Sequence, residues 1–273
     1  LPISIPAAIP YIIKARGNWK TIKAFVEKHA SDRVRALELL STLSDKDLRD
    51  MPMEILEDNM SAPTDQLSPR VENEMILKPF KHFFAKAFSK EAQTFRNNPA
   101  LLVNWIQKNI KMNPDKHAMR IPQTPISVWE CRVADERSRD IFFVDVARSI
   151  GIDARKDAVT GKIQYKKGGN WMDVDFDTTV QQVAKTGTLI LNYTPTEYLD
   201  DPKYYTHFTI SKIINGRTWL MNFDEGQLDM GGGTTWSNVF KKGTTLDEGT
   251  YLLVSGQRFT SVSSRLNQEK PPQ

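Results

Sequence analysis

A chain of 273 residues with 40% hydrophobic and 26% charged residues, six tryptophans and thirteen phenylalanines has apolar surface for more than one core, and its length indicates about two domains. The net charge of +4 is spread among interleaved acids, which argues against a nucleic-acid partner, and no apolar run reaches the roughly 18 residues of a transmembrane segment. One cysteine excludes an internal disulfide, and four separated histidines lack ligand spacing, so neither a metal nor a cofactor is expected.

Residues 1–13, broken by Pro2, Pro6 and Pro10, suit an edge strand, an extended arm or the tail of a preceding domain, and they lack the basic start of a signal peptide. From Trp19 to Met60 the period is helical, with Ile22, Phe25 and Val26 and then Val34, Leu37 and Leu40 at spacings of three and four. Ser44 ahead of Asp47 gives a capping signal. These segments form an expected helical region over residues 1–66, closed by the polar linker "SAPTDQLSP".

A second expected domain, residues 67–180, opens with helical spacing through Met75, Ile76, Pro79, Phe80, Phe83 and Phe84 and continues in "NPALLVNWIQKNIKM", where Asn98 and Pro99 read as a cap and first helical position. "NPDKHAMRIPQTPIS" reads as a loop. "DERSRDIFFVDVARSIGIDAR" follows, apolar almost all round and stopped by Gly151, so it is expected to be the central buried helix. Three short strands come next, "IDARKDAVT", "KIQYK" and "WMDVDFD", the last two joined by a Gly168–Gly169 turn. Residues 181–273 alternate apolar and polar, with turn signals at Asn215–Gly216, Gly231–Gly233 and Glu248–Gly249. An antiparallel β-sandwich of about seven strands is expected there. The fold class is therefore α+β.

The ending "ARSIGIDAR", then strands, then "WMDVDFD", resembles the transglutaminase-like branch of the papain-like cysteine enzymes. That family places Cys at the start of a helix ending R-a-x-G-I-P-A-R, His at the head of a strand, and Asp after a W-x-x-x-D stretch. Arg148, Gly151, Ile152, Ala154 and Arg155 match the first part, and Trp171 and Asp175 the last. Residues 65–180 also resemble a group of large, exported bacterial transglutaminase-domain proteins. The resemblance implies a central helix packed on an antiparallel sheet, and an exported location.

In that register the nucleophile position falls on Glu136, within about two residues, among Asp135, Arg137 and Ser138, none of them Cys. The histidine position falls near Thr160–Lys162, and only Asp175 of the three catalytic roles is kept. Amide acyl transfer needs a thiolate activated by an imidazole, and a carboxylate only orients that imidazole, so no catalytic residues are expected. Glu136 is electrostatically comfortable at a helix N-terminus without any chemistry. On a continuous helix Cys131, five residues earlier, would be turned about 140° from the groove, and a lone Cys is usually a small buried residue.

Trp129 and Trp171 fit either a surviving groove or partly buried packing positions. Ser138 reads as a nucleophile without a basic partner or as a capping residue. Asp173, Asp175 and Asp177 alternate onto one strand face, as paired carboxylates of glycoside chemistry or as solvated acids. Tyr204, Thr206 and Phe208 alternate with Tyr205 and His207, as a sugar platform or as one buried aromatic face of a core strand. The leading expectation is a non-catalytic module that binds peptide or glycan through a remnant groove or the β-sandwich. The alternatives are a thiol amidase, peptidase or transglutaminase using Cys131 with a histidine brought from elsewhere in the fold, His117 or His207, and a structural spacer that binds nothing.

Overall fold

A computed structural model describes residues 6–76, 78–113, 121–177, 182–183, 185–214, 216–223 and 234–256. The fold mixes helices with antiparallel sheets, and the described residues up to Val183 form one compact unit while those from Lys185 onward form another.

The first unit begins with α1 (Ile9–Lys14), α2 (Trp19–Lys28), α3 (Arg33–Ser41), α4 (Asp45–Asp50) and α5 (Met53–Met60). Residues 6–13 are therefore helical, a 3-10 turn at Pro6–Ala8 leading into α1, and not the extended arm of the sequence reading. Pro10 causes this: in the first helical turn its missing N–H costs nothing and its fixed φ suits the helix. Ile22, Phe25, Val26, Leu39, Leu40, Ile55 and Leu56 make the buried core of these helices, and Ser44 caps α4 by accepting the Asp47 amide at 3.1 Å.

Next come α6 (Lys81–Ala87), α7 (Ala92–Asn97) and α8 (Ala100–Asn109), then β1 (Lys111–Met112), α9 (Pro125–Cys131), β2 (Val133–Ala134) and α10 (Glu136–Ser149). The described residues between 70 and 80 are irregular, contrary to the expected helix, and Met75 and Phe83 are exposed. Side chains there do the work a helix would do: Arg148 donates to the Ser68 and Arg70 carbonyls, and buried Glu74 accepts the Val71 and Glu72 amides. Residues 125–127 belong to α9, not to a loop, because Thr124 caps the helix on the Ser127 amide and Pro125 takes its first turn. The α8 cap is Pro99, one residue later than expected.

Helix α10 is buried nearly all round, as its composition requires. Asp135 caps it by accepting the Ser138 amide at 2.7 Å. It ends in a Schellman motif, with the Ile152 amide on the Ala147 carbonyl, the Gly151 amide on the Arg148 carbonyl, and Gly151 at φ +84°. An antiparallel sheet packs on it in the order β3 (Ala154–Lys156), β4 (Ile163–Lys167), β5 (Asn170–Asp173), β6 (Gln182–Val183). The Gly168–Gly169 turn closes the β4–β5 hairpin with positive φ at both residues, as a type I′ turn needs.

The second unit holds β7 (Thr186–Leu189), β8 (Phe208–Ile214), β9 (Arg217–Leu220), β10 (Thr244–Asp247) and β11 (Thr250–Ser255). Among the described residues these pair as one two-stranded antiparallel sheet, β10–β7, and one three-stranded sheet, β11–β8–β9. The strand expected from Tyr204 begins only at Phe208, because Tyr205 takes a left-handed φ of +65° and turns the chain. Tyr204 and Phe208 are nevertheless both buried, and Tyr204 donates its hydroxyl to the Met221 carbonyl at 2.6 Å. Gly231–Gly233 and Asn215 lie outside the described residues.

Candidate functional site

The first turn of α10 holds the position that the sequence reading assigns to a nucleophile. Glu136 is exposed there, and Ser138 is fully buried. The Ser138 hydroxyl accepts the Gln123 amide at 2.9 Å while its own amide is held by Asp135, so both polar groups serve the helix start. One turn on, Asp140 is pushed up to about 6, first by burial, with Glu136 adding to the rise and Arg139, 3.3 Å away, opposing it. The turn therefore presents carboxyl groups, one of which exchanges its proton near pH 6.

The sheet places the remaining candidates elsewhere. Tyr165 and Met172 are paired in register on the face that packs into the core with α10, where Tyr165 meets Phe143 at a ring distance of 6.4 Å. Strand alternation then turns Trp171 and Asp173 to the opposite face, in register with Lys166 and Gln164. The Arg155 guanidinium lies 4.1 Å from the Trp171 ring centroid, and Arg155 Nε donates to Gln164. Asp173 accepts from Gln164 at 2.8 Å and from Lys162 Nζ at 2.9 Å. Lys162, in the stretch where an imidazole was expected, is thus a partner of Asp173. Thr160 sits in the β3–β4 turn with its amide on Asp157.

Strand β5 ends at Asp173, two residues short of Asp175, and the Asp177 amide donates to Asp175. The structure brings together Trp171, Asp173, Arg155 and Gln164, and it does not bring Glu136 or Ser138 to them. From sequence Arg155 stands out only as a match to the family pattern, not as a site residue, and Gln164 does not stand out at all. The apolar alternation of Met172, Val174 and Phe176, all packed against the core, is the signal that would have set the facing.

Trp129 lies on α9 in a ring cluster, stacked on Trp105 at 5.7 Å and 10°, with the Arg132 guanidinium 3.8 Å above it. It is a packing residue, half-buried against the core. Cys131 ends α9 and is exposed, not buried as a lone cysteine was expected to be. Arg132 at φ +56° and β2 separate it from α10, so the continuous-helix rotation does not apply. Among the described residues no histidine is hydrogen-bonded to Cys131: His29 is held by Glu57 at 3.0 Å, and His207 accepts the Lys203 amide. His117 lies outside the described residues.

Two further polar places stand out. A cavity of about 530 Å³ is lined by Thr64, Arg96, Asp153 and Lys166 among others, but Asp153 accepts from Thr64 and Asp65, and Arg96 donates to the Ile150 carbonyl. In the core, Lys81 Nζ and both carboxylate oxygens of Asp145 are buried without a hydrogen-bond partner among the described residues. Burial pushes Asp145 well up and Lys81 down to about 7. Glu74 adds to the rise at Asp145, which Arg148 and Lys81 oppose. At Lys81, Arg148 and Arg35 add to the fall, which Asp145 and Asp58 oppose.

Among the described residues no group of three His, Cys, Asp or Glu side chains is placed to hold a metal, and no helix is long and apolar enough to cross a membrane. Comparison with protein-family models, with curated proteins and with solved structures gives no match.

Proposed function

We propose that this chain is a non-catalytic module that binds a peptide or glycan on the outer face of the β3–β6 sheet. The observation that carries the reading is the platform around Trp171: a half-exposed indole with Arg155 stacked on it, beside the Gln164–Asp173 hydrogen bond. An aromatic surface flanked by fixed donors and acceptors is the usual means of holding a sugar ring or an extended peptide. The transglutaminase-like identity of the core, the β-sandwich character of the second unit and an exported location belong to the same proposal and rest on the sequence resemblance. Glu136 at the nucleophile position supports the non-catalytic part.

The test is a glycan and peptide array probed with the chain and with Trp171→Ala. Binding by the natural sequence that is lost in the variant, with thermal unfolding unchanged, is the expected result. Binding indifferent to Trp171, or no binding by either, contradicts it, and the second outcome favours a structural spacer. The exposure of Cys131 is the one observation favouring a thiol enzyme as the alternative.

A further inference from the structure

We infer that the three-stranded sheet of the second unit carries a self-association surface, whose partner is the same face of a second copy of this chain. Along β8, Phe208 and Ile210 are buried, where Phe208 meets the Phe240 ring at 5.2 Å. Alternation turns Thr209, Ser211 and Ile213 the other way, and register adds Thr218 and Leu220 of β9 and Thr250, Leu252 and Val254 of β11 to that second face. None of these residues is charged, although a solvated sheet face normally alternates into charged and polar side chains. Leu220 is 57% exposed, Val254 51%, Leu252 43% and Ile213 37%.

Charge and shape both point to a like partner. An uncharged face is matched without desolvating an ion only by another uncharged face, and its own copy supplies one. Leu220, Ser211 and Leu252 stand in one row across the sheet, so a ridge of Thr218 and Leu220 and a ridge of Thr250, Leu252 and Val254 flank a slot at Ser211, with Thr209 and Ile213 at its two ends. Two such faces packed about a twofold axis set ridge into slot. Strands of seven, four and six residues, about 4.8 Å apart and rising about 3.3 Å per residue, give a footprint of roughly 270 Å², and side-chain relief takes the area buried by two copies to at most roughly 1,000 Å². That is the lower end for a specific interface, so the dimer is a weak one, with a dissociation constant in the micromolar range.

Sedimentation velocity of the full chain from about 1 to 200 µM tests this, a range that brackets micromolar affinity. The expected result is a reversible monomer–dimer equilibrium that Leu252→Lys weakens by at least about 100-fold, since two ammonium groups would meet in the interface. Leu253→Lys is the control: Leu253 is also 51% exposed but lies on the other face of the same strand, and its substitution leaves the equilibrium unchanged. A monomer throughout the range, a dimer indifferent to Leu252→Lys, or equal effects of both substitutions overturns the inference.

Discussion

Replacing Lys81 by Met keeps the aliphatic stem and removes a buried amine that has no hydrogen-bond partner among the described residues. Burial holds this amine near 7 in the folded chain, against an ordinary value of 10.5. Between those two values the unfolded chain binds a proton that the folded chain does not, so Lys81 makes stability rise with pH, by at most about 1.4 kcal/mol per unit. Asp145 acts in the opposite sense lower down: its raised value makes stability fall as pH rises from about 4, where an unfolded Asp loses its proton, to its folded value. The two groups therefore pull stability in opposite directions as pH rises, and Lys81→Met removes the alkaline rise. Urea unfolding at pH 7 to 10 measures this, with the two proteins compared at each pH so that titrations uncoupled from Lys81 cancel. The variant is expected to be the more stable at pH 7, and its advantage should shrink by about 3 kcal/mol towards pH 10. A difference that is constant with pH to within about 0.5 kcal/mol would refute the reasoning.

Asp140→Asn tests a second raised carboxyl. The folded value near 6 lies above the ordinary 3.8, so the acid costs stability above pH 6 and nothing below pH 4. The variant should gain about 2 kcal/mol at pH 7 and none at pH 4, read from chemical denaturation at both. Gly151→Ala should lose about 1–2 kcal/mol, because the residue sits at φ +84° and an added Cβ would lie 3.0 Å from the Pro63 carbonyl oxygen. Thermal unfolding checks it, and an unchanged midpoint would show that the turn relaxes.

Helix α10 was legible because three local signals agree: Asp135 as a cap, an apolar sequence on every side, and Gly151 as the stop. The helices from Trp19 to Met60 and the Gly168–Gly169 hairpin were legible for the same reason. The stretch from 70 to 80 was not, since its backbone is held by Arg148, distant in sequence, and its helical spacing points at nothing. Strand β10 also escaped, a four-residue element whose pairing with β7 spans more than fifty residues. At the candidate site the residue types of β5 were readable, but their facing depends on which side the core lies. Asp145, an acid inside an apolar helix, was visible in "FFVDVA", whereas its approach to Lys81 required the packing of α6 on α10.

The central claim, a module that binds without chemistry, is tested most directly by mass spectrometry of a glutamine-containing peptide and an amine donor incubated with the chain. The account predicts that both are recovered unchanged. Recovery of a deamidated, cleaved or amine-linked peptide, abolished by alkylating Cys131, would contradict it.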